Sequence, residues 1–174
     1  VKIGIFGGTF DPIHNGHLML ATYARHEIGL SHIFFVPTYK SPKWYKNNIS
    51  DAEHRVTMVS MCMKSKKFYM STCEIKRKGI SYTIDTVKYF KKYMPNKELF
   101  LITGPEVTEN IHLWKDLKEI KKYVNVAIAN KDFYCPDISI RGTSIRQLIK
   151  DKKPISYLVP KQVEKYIVEK GLYK

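Results

Sequence analysis

Five short apolar runs, each followed by a longer segment with helical spacing, are the strongest constraint this 174-residue chain places on its fold. The runs cover residues 1–6, 33–36, 68–72, 99–102 and 124–129. Four to six residues is strand length, and a run that is apolar at every position is buried on both faces of its sheet. The first helix is expected over 16–28, where Leu18, Ala21, Tyr23, Ala24 and Ile28 share a face and Gly29 supplies the stop. Ser50 with Glu53 reads as a capping box opening a second helix through Val56, Val59 and Met63. Thr83 reads as the cap of a third, with Ile84, Val87 and Phe90 inside and Pro95 ending it, and a fourth spans about 109–122. Strands joined through helices pair in parallel, so the expected architecture is α/β: a Rossmann-like parallel sheet with helices on both faces. A small C-terminal helical portion, about 143–174, follows, its last helix opened by Pro160 and stopped by Gly171. Without a repeat or a linker, 1–174 reads as one domain.

Bulk properties narrow the classes. No run of 18 apolar residues is present to span a bilayer, and residues 1–6 lack the length and cleavage pattern of a secretory signal, so the cytoplasm is the expected location and no membrane partner is expected. Cys62, Cys73 and Cys135 are odd in number and widely spaced, which argues against a disulfide framework or a zinc site; Cys62 falls within an apolar helix pattern and reads as core. The formal charge of +14 favours anionic partners. Lysines supply most of it, scattered over helix exteriors such as Lys88, Lys91, Lys92, Lys118, Lys121 and Lys122. That is a solvated face rather than a nucleic-acid stripe, so no nucleic acid is expected.

The chemistry is concentrated directly after the first strand, in Gly7-Gly8-Thr9-Phe10-Asp11-Pro12-Ile13-His14-Asn15-Gly16-His17. In a parallel sheet, ligands bind where the chain leaves a strand's carboxyl end. Gly7 and Gly8 allow a close approach of backbone to ligand and open positive φ, and the following helix adds its positive end; phosphates suit such a place. The spacing is neither G-x-G-x-x-G nor G-x-x-x-x-G-K-[ST], so there is no P-loop lysine. His14 and His17, three apart, have three readings: metal ligands with Asp11 as a third, caps of the helix, or imidazoles facing a phosphate. The anion-binding loop favours the last, in which a histidine stabilises charge developing on a phosphoryl oxygen without a covalent step. No metal site built by protein side chains is expected.

This glycine-histidine segment resembles the signature of the nucleotidyltransferase superfamily of adenylyl- and cytidylyltransferases. Within it the chain is most similar to nicotinate mononucleotide adenylyltransferases, through Ser81-Tyr82-Thr83-Ile84-Asp85-Thr86, Ile102-Thr103-Gly104, Trp114, Thr143-Ser144-Ile145-Arg146, Tyr157-Leu158-Val159-Pro160 and Gly171-Leu172-Tyr173. The resemblance implies adenylyl transfer from ATP to nicotinate mononucleotide, giving nicotinate adenine dinucleotide and pyrophosphate by direct in-line attack. It implies that His14 and His17 neutralise phosphoryl oxygens, that Arg146 grips the departing β and γ phosphates, and that Gly7, Gly8, Thr9, Phe10, Gly104, Glu106, Thr143, Ser144 and Ile145 line the nucleotide site. Tyr82, Thr83, Asp85 and Trp114 fall to the mononucleotide, with the α-amide groups at Thr83 receiving its carboxylate. Trp114 reads equally well as a core aromatic. Mg2+ accompanies ATP, and family members include homo-oligomers.

The chain departs from this family at four places. The second-strand loop reads Ser41-Pro42-Lys43-Trp44-Tyr45-Lys46 where the family carries a proline pair, histidine and lysine, so the cationic contact passes to Lys43 or Lys46. The family's G-x-D is Gly104-Pro105-Glu106, one methylene longer. Arg141-Gly142 replaces two serines ahead of Thr143. Residues 130–139 form a shorter segment than is usual. Transfer to another phosphate acceptor such as phosphopantetheine, cytidylyl transfer, and a basic nucleic-acid-binding domain are the alternative readings.

Overall fold

A computed structural model describes residues 1–42, 49–63, 67–137 and 139–174. Its strands are β1 (Lys2–Gly8), β2 (His32–Pro37), β3 (Phe68–Met70), β4 (Glu98–Thr103) and β5 (Asn125–Ile128). All pair in parallel, in the order β3-β2-β1-β4-β5. The helices are α1 (Asn15–Ile28), α2 (Ala52–Cys62), α3 (Cys73–Arg77), α4 (Thr83–Tyr93), α5 (Val107–Asn110), a single 3-10 turn (Ile111–Leu113), α6 (Leu117–Tyr123), α7 (Gly142–Lys150) and α8 (Lys161–Lys170).

Alternation along each strand divides the core in two. Ile3 and Ile5 of β1, Val36 of β2, and Leu99 and Leu101 of β4 join Ile84, Val87, Phe90 and Ile120 beneath α4 and α6. Phe6, Ile33, Phe35 and Ile102 point the other way, against Ala21, Ala24, Met58, Val59, Ile145, Val163 and Ile167 from α1, α2, α7 and α8. The sheet is therefore covered on both faces, as apolar runs on parallel strands require. The C-terminal helices share the second of these cores. Lys88, Lys92, Lys118, Lys121 and Lys122 are exposed on α4 and α6. Cys62, Cys73 and Cys135 are free and buried, and burial pushes the thiols of Cys73 and Cys135 up, away from nucleophile character. Among the described residues no helix is long and apolar enough to cross a membrane.

Several local expectations give way to tertiary contacts. β1 continues through Gly7 and Gly8, which pair with Val36 and Pro37. The Ser50–Glu53 capping box does not form: Asp51 holds the cap position without a side-chain bond, and the Ser50 N–H donates to Asp11 Oδ2 at 3.1 Å. Thr83 is the first residue of α4, with Tyr82 at the cap and no side-chain bond there. The helix expected over 109–122 is broken, because Trp114 is extended and Asp116 lies in the left-handed region at φ 56°. The break lets Trp114 turn inward against the core beneath α4 and α6. The one-turn helix α3 has too few residues to show a helical period in the sequence.

Candidate active site

The strand order reverses at β1. From there the chain builds β2 and β3 on one side and returns to place β4 and β5 on the other. The crevice outside the carboxyl ends of β1 and β4 is the place where such a sheet binds ligands. A cavity of about 310 Å³ lies there, with Gly7, Gly8, Thr9 and His17 on one side and Tyr82, Thr83, Thr103, Gly104, Glu106 and Trp114 on the other.

Neither Gly7 nor Gly8 has positive φ; both are strand residues, and what they contribute is the missing side chain. A Cβ on Gly7 would meet no atom within 4 Å and would project into open space at the cavity wall. The left-handed residue is Phe10, at φ 48°. Its ring is fully buried, edge-on to Phe6 at 5.6 Å and to His17 at 5.0 Å, and that burial offsets the cost of the conformation. The Phe10 side chain thus shapes the loop from the core and is not in the cavity wall.

His14 is the N-cap of α1. Its Nδ1 accepts the His17 N–H at 3.4 Å, while His17 Nδ1 accepts the His14 N–H at 3.2 Å. This is a reciprocal capping box with imidazoles in place of the usual hydroxyl and carboxylate. The rings stack with centroids 3.6 Å apart. An imidazole nitrogen that accepts carries no proton, so each neutral ring holds its proton on Nε2. The capping and phosphate-facing readings of this pair are therefore compatible: Nδ1 fixes the ring and Nε2 is the donor. Asp11, the third ligand in the metal reading, is engaged otherwise: its Oδ1 accepts the Tyr173 phenol at 2.7 Å and its Oδ2 accepts the Ser50 N–H. Among the described residues no three or more His, Cys, Asp or Glu side chains gather as ligands.

Asp11 is 3% exposed and joins distant parts of the chain. Burial, then the Asp11 charge, push the Tyr173 phenol well above its ordinary range, so it remains a donor. Arg146, on α7, donates through Nη1 to the Asp11 carbonyl at 2.7 Å, and that nitrogen lies 3.9 Å from Oδ2. Gly142 packs closely at this point: a Cβ there would stand 3.0 Å from the same carbonyl oxygen, a tight contact. Arg141 is the N-cap of α7, its side chain makes no capping bond, and no acid lies in the first turn. A helix start of this kind suits an anion. Thr143 and Ser144 are exposed at this helix start, outside the cavity wall. Ile145 is core: its side chain is fully buried and its N–H donates to the Arg141 carbonyl.

At the opposite end, Trp114 both lines the cavity and packs on the core, so its two readings hold together. Tyr82 and Thr83 stand at the start of α4, and Lys115 lies 4.5 Å from the Tyr82 ring centroid. Asp85 is exposed and not in the cavity wall. Glu106 accommodates its extra methylene by folding its carboxylate over Gly104, where any Cβ would collide with it. Lys43 and Lys46 lie outside the described residues.

Two buried charged groups escaped the sequence. Arg55, 1% exposed, donates to the carbonyls of Ser50 (2.8 Å), Thr9 (2.8 Å), Thr38 (2.6 Å) and Tyr39 (3.3 Å), pinning the loops after β1 and β2 to the start of α2. Burial lowers its pKa, opposed first by the Asp11 charge. Glu74, on α3, is 5% exposed and lines the cavity. On a helix, Arg55 looked like any surface arginine, and its partners are carbonyls, which carry no sequence signature.

A glycine-ended central strand, a histidine-capped helix and the start of α4 meet around one crevice, the arrangement of an α/β enzyme that handles phosphoryl groups. The Cytidylyltransferase-like family model matches residues 5–156. Nicotinate-nucleotide adenylyltransferase of Bacillus subtilis (strain 168) is 37% identical over 186 aligned positions, covering 99% of this chain and 98% of the relative. A protein named probable nicotinate-nucleotide adenylyltransferase from Thermoanaerobacter sp. (strain X514) is 36% identical over 200 positions, covering 100% and 95%. Nicotinic acid mononucleotide adenylyltransferase of Plasmodium falciparum, solved in complex with NaAD, superimposes with a TM-score of 0.77 at 18% identity over 99% of this chain and 97% of that one, a likeness of fold. The chain belongs to the nicotinate-nucleotide adenylyltransferase family, within the cytidylyltransferase-like superfamily. Adenylyl transfer to a nucleotide is the chemistry that membership assigns.

Proposed function

We propose that this chain transfers the adenylyl group of ATP to nicotinate mononucleotide, giving nicotinate adenine dinucleotide and pyrophosphate, in the cytoplasm. A phosphate oxygen of the mononucleotide attacks the α-phosphorus in line. The new P–O bond forms as the bond to the bridging oxygen of the β phosphate breaks, and pyrophosphate leaves with that electron pair. The attacking oxygen is already anionic, so no general base is required, and the protein's work is alignment and charge compensation.

The observation that carries this reading is the reciprocal His14–His17 box beside the crevice at β1. It fixes the orientation of both imidazoles, with His17 in the cavity wall, which suits charge building on phosphoryl oxygens. Arg146 and the start of α7 serve the leaving phosphates, the guanidinium held in place by the Asp11 carbonyl. Trp114 offers a face to the flat pyridine ring, and the start of α4, where Tyr82 makes no side-chain capping bond, offers the Thr83 N–H to its carboxylate. Magnesium enters as part of the ATP substrate; the Asp11 carboxylate is already engaged by Tyr173 and Ser50.

The test is an acceptor panel followed by pyrophosphate release: nicotinate mononucleotide, nicotinamide mononucleotide and phosphopantetheine, each with ATP and with CTP. The expected result is fastest turnover with ATP and nicotinate mononucleotide. Failure to form the dinucleotide from that pair, with turnover of another acceptor, overturns the assignment.

A further inference from the structure

Glu74 is the buried titratable group that adenylyl transfer does not use. Burying a carboxyl costs free energy that an apolar side chain of similar size would not. Its surroundings show what it holds together. The Thr86 hydroxyl, one turn into α4, donates to Oε1. The hydroxyls of Ser81 and Thr38 stand beside the carboxyl and favour its charged form, against the larger opposing effect of burial. Ser81 Oγ in turn accepts the Tyr39 N–H at 3.0 Å, and the Ser81 N–H donates to the Lys40 carbonyl at 2.8 Å. Glu74 Oε2 is buried with no hydrogen bond of good geometry among the described residues. One carboxyl on α3 thus faces both the start of α4, the next helix along the chain, and the chain leaving β2, which is distant in sequence.

The start of α4 has no side-chain cap of its own. Its position against the end of β2 is therefore set from outside the helix, and Thr86 is the point where Glu74 takes hold. Tyr82, Thr83 and Thr86 all line the cavity. We propose that Glu74 is a positioning residue for the acceptor: through Thr86 and Ser81 it sets the start of α4 against the end of β2 and so the spacing of the cavity's acceptor end. This rests on the division of the cavity into an acceptor end and a triphosphate end made above.

The test compares E74A, E74Q, T86V and the double variant E74A/T86V by steady-state kinetics, with acceptor and ATP varied separately. Losing a hydrogen bond to a buried group of this kind corresponds to about a tenfold rise in acceptor KM, with ATP KM held within about twofold. E74Q keeps a carbonyl oxygen for the Thr86 hydroxyl and restores most of the acceptor KM. T86V reproduces the E74A shift, and the double variant is no worse than either single one, since both remove the same link. Acceptor and ATP KM rising in parallel, E74Q no better than E74A, or additive effects in the double variant would each overturn the proposal. If E74A does not fold, T86V and E74Q carry the comparison. KM is read with whichever acceptor the wild type turns over fastest. A wild type that prefers another acceptor thus sinks the substrate assignment and leaves the Glu74 result readable.

Discussion

At the β1–α1 end of the cavity, the groups that shape the site are held from several sides, whereas at the α4–Trp114 end they hang on short elements. The first end has the reciprocal histidine box, the buried Phe10 ring, Arg55 on four carbonyls, and Asp11 engaged by Tyr173, Ser50 and Arg146. The second rests on α5, one 3-10 turn, an extended Trp114 and an α4 without a cap. Rigid placement is what stabilising a transition-state charge needs, because donors must already point where charge will develop. An acceptor pocket works by burial and stacking, which tolerate small adjustments. Damage to the first end should therefore appear in kcat or ATP use, and damage to the second in acceptor KM.

The largest effect expected is that of His17→Ala. Losing one preorganised donor lowers kcat roughly 10²–10³-fold. Opening half of the capping box costs about 1 kcal/mol, a fall of roughly 2–4 °C in Tm. Near-normal turnover in the variant would remove the histidines from the chemistry and leave them as caps. Next is Arg146→Ala, for which ATP KM should rise about tenfold or more with acceptor KM little changed, as loss of a phosphate-binding fork predicts. An unchanged ATP KM would mean that the arginine serves the Asp11 carbonyl alone. Trp114→Ala should raise acceptor KM about tenfold, the scale of one lost stack, and spare ATP KM. If kcat fell instead, the contrast between the two ends would break.

The smallest effect concerns stability and pH. Burial raises the Glu74 carboxyl above its ordinary value of 4.5, so the folded chain holds that proton more tightly than the unfolded chain does. Stability from this group is present while it is protonated and is lost as pH rises from about 4.5 through the raised value. Thermal midpoints of wild type and E74Q, followed over that interval, should diverge as pH rises, with E74Q the less sensitive. Parallel curves would mean that Glu74 ionises as easily folded as unfolded.

Much of the first end was legible because its parts are close in sequence. An apolar strand, two glycines and two histidines three apart lie within the first seventeen residues, and the spacing of His14 and His17 on one helix turn makes their meeting local geometry. The parallel sheet was legible for a similar reason: each apolar run reports its own burial. What could not be read depends on distance along the chain. Asp11 and Tyr173 are 162 residues apart, and Arg55 reaches Thr9 across 46. Ser50 carried a capping signal that lost to a tertiary contact, because a cap contributes about 1 kcal/mol and the buried Asp11 carboxylate needs its donors more.

Local pattern alone thus determined the strand–helix alternation, the glycine-rich segment after the first apolar run and the histidine pair, since each rests on neighbours within a turn or a pleat. Tertiary structure decided how those parts are held. It made Phe10 and Ile145 core, set Asp85 outside the cavity, turned Trp114 into it, and gathered Arg55, Asp11, Glu74 and Tyr173 from separate elements. The physical reason is burial: a charged or polar group taken out of water must find its partners wherever the fold brings them.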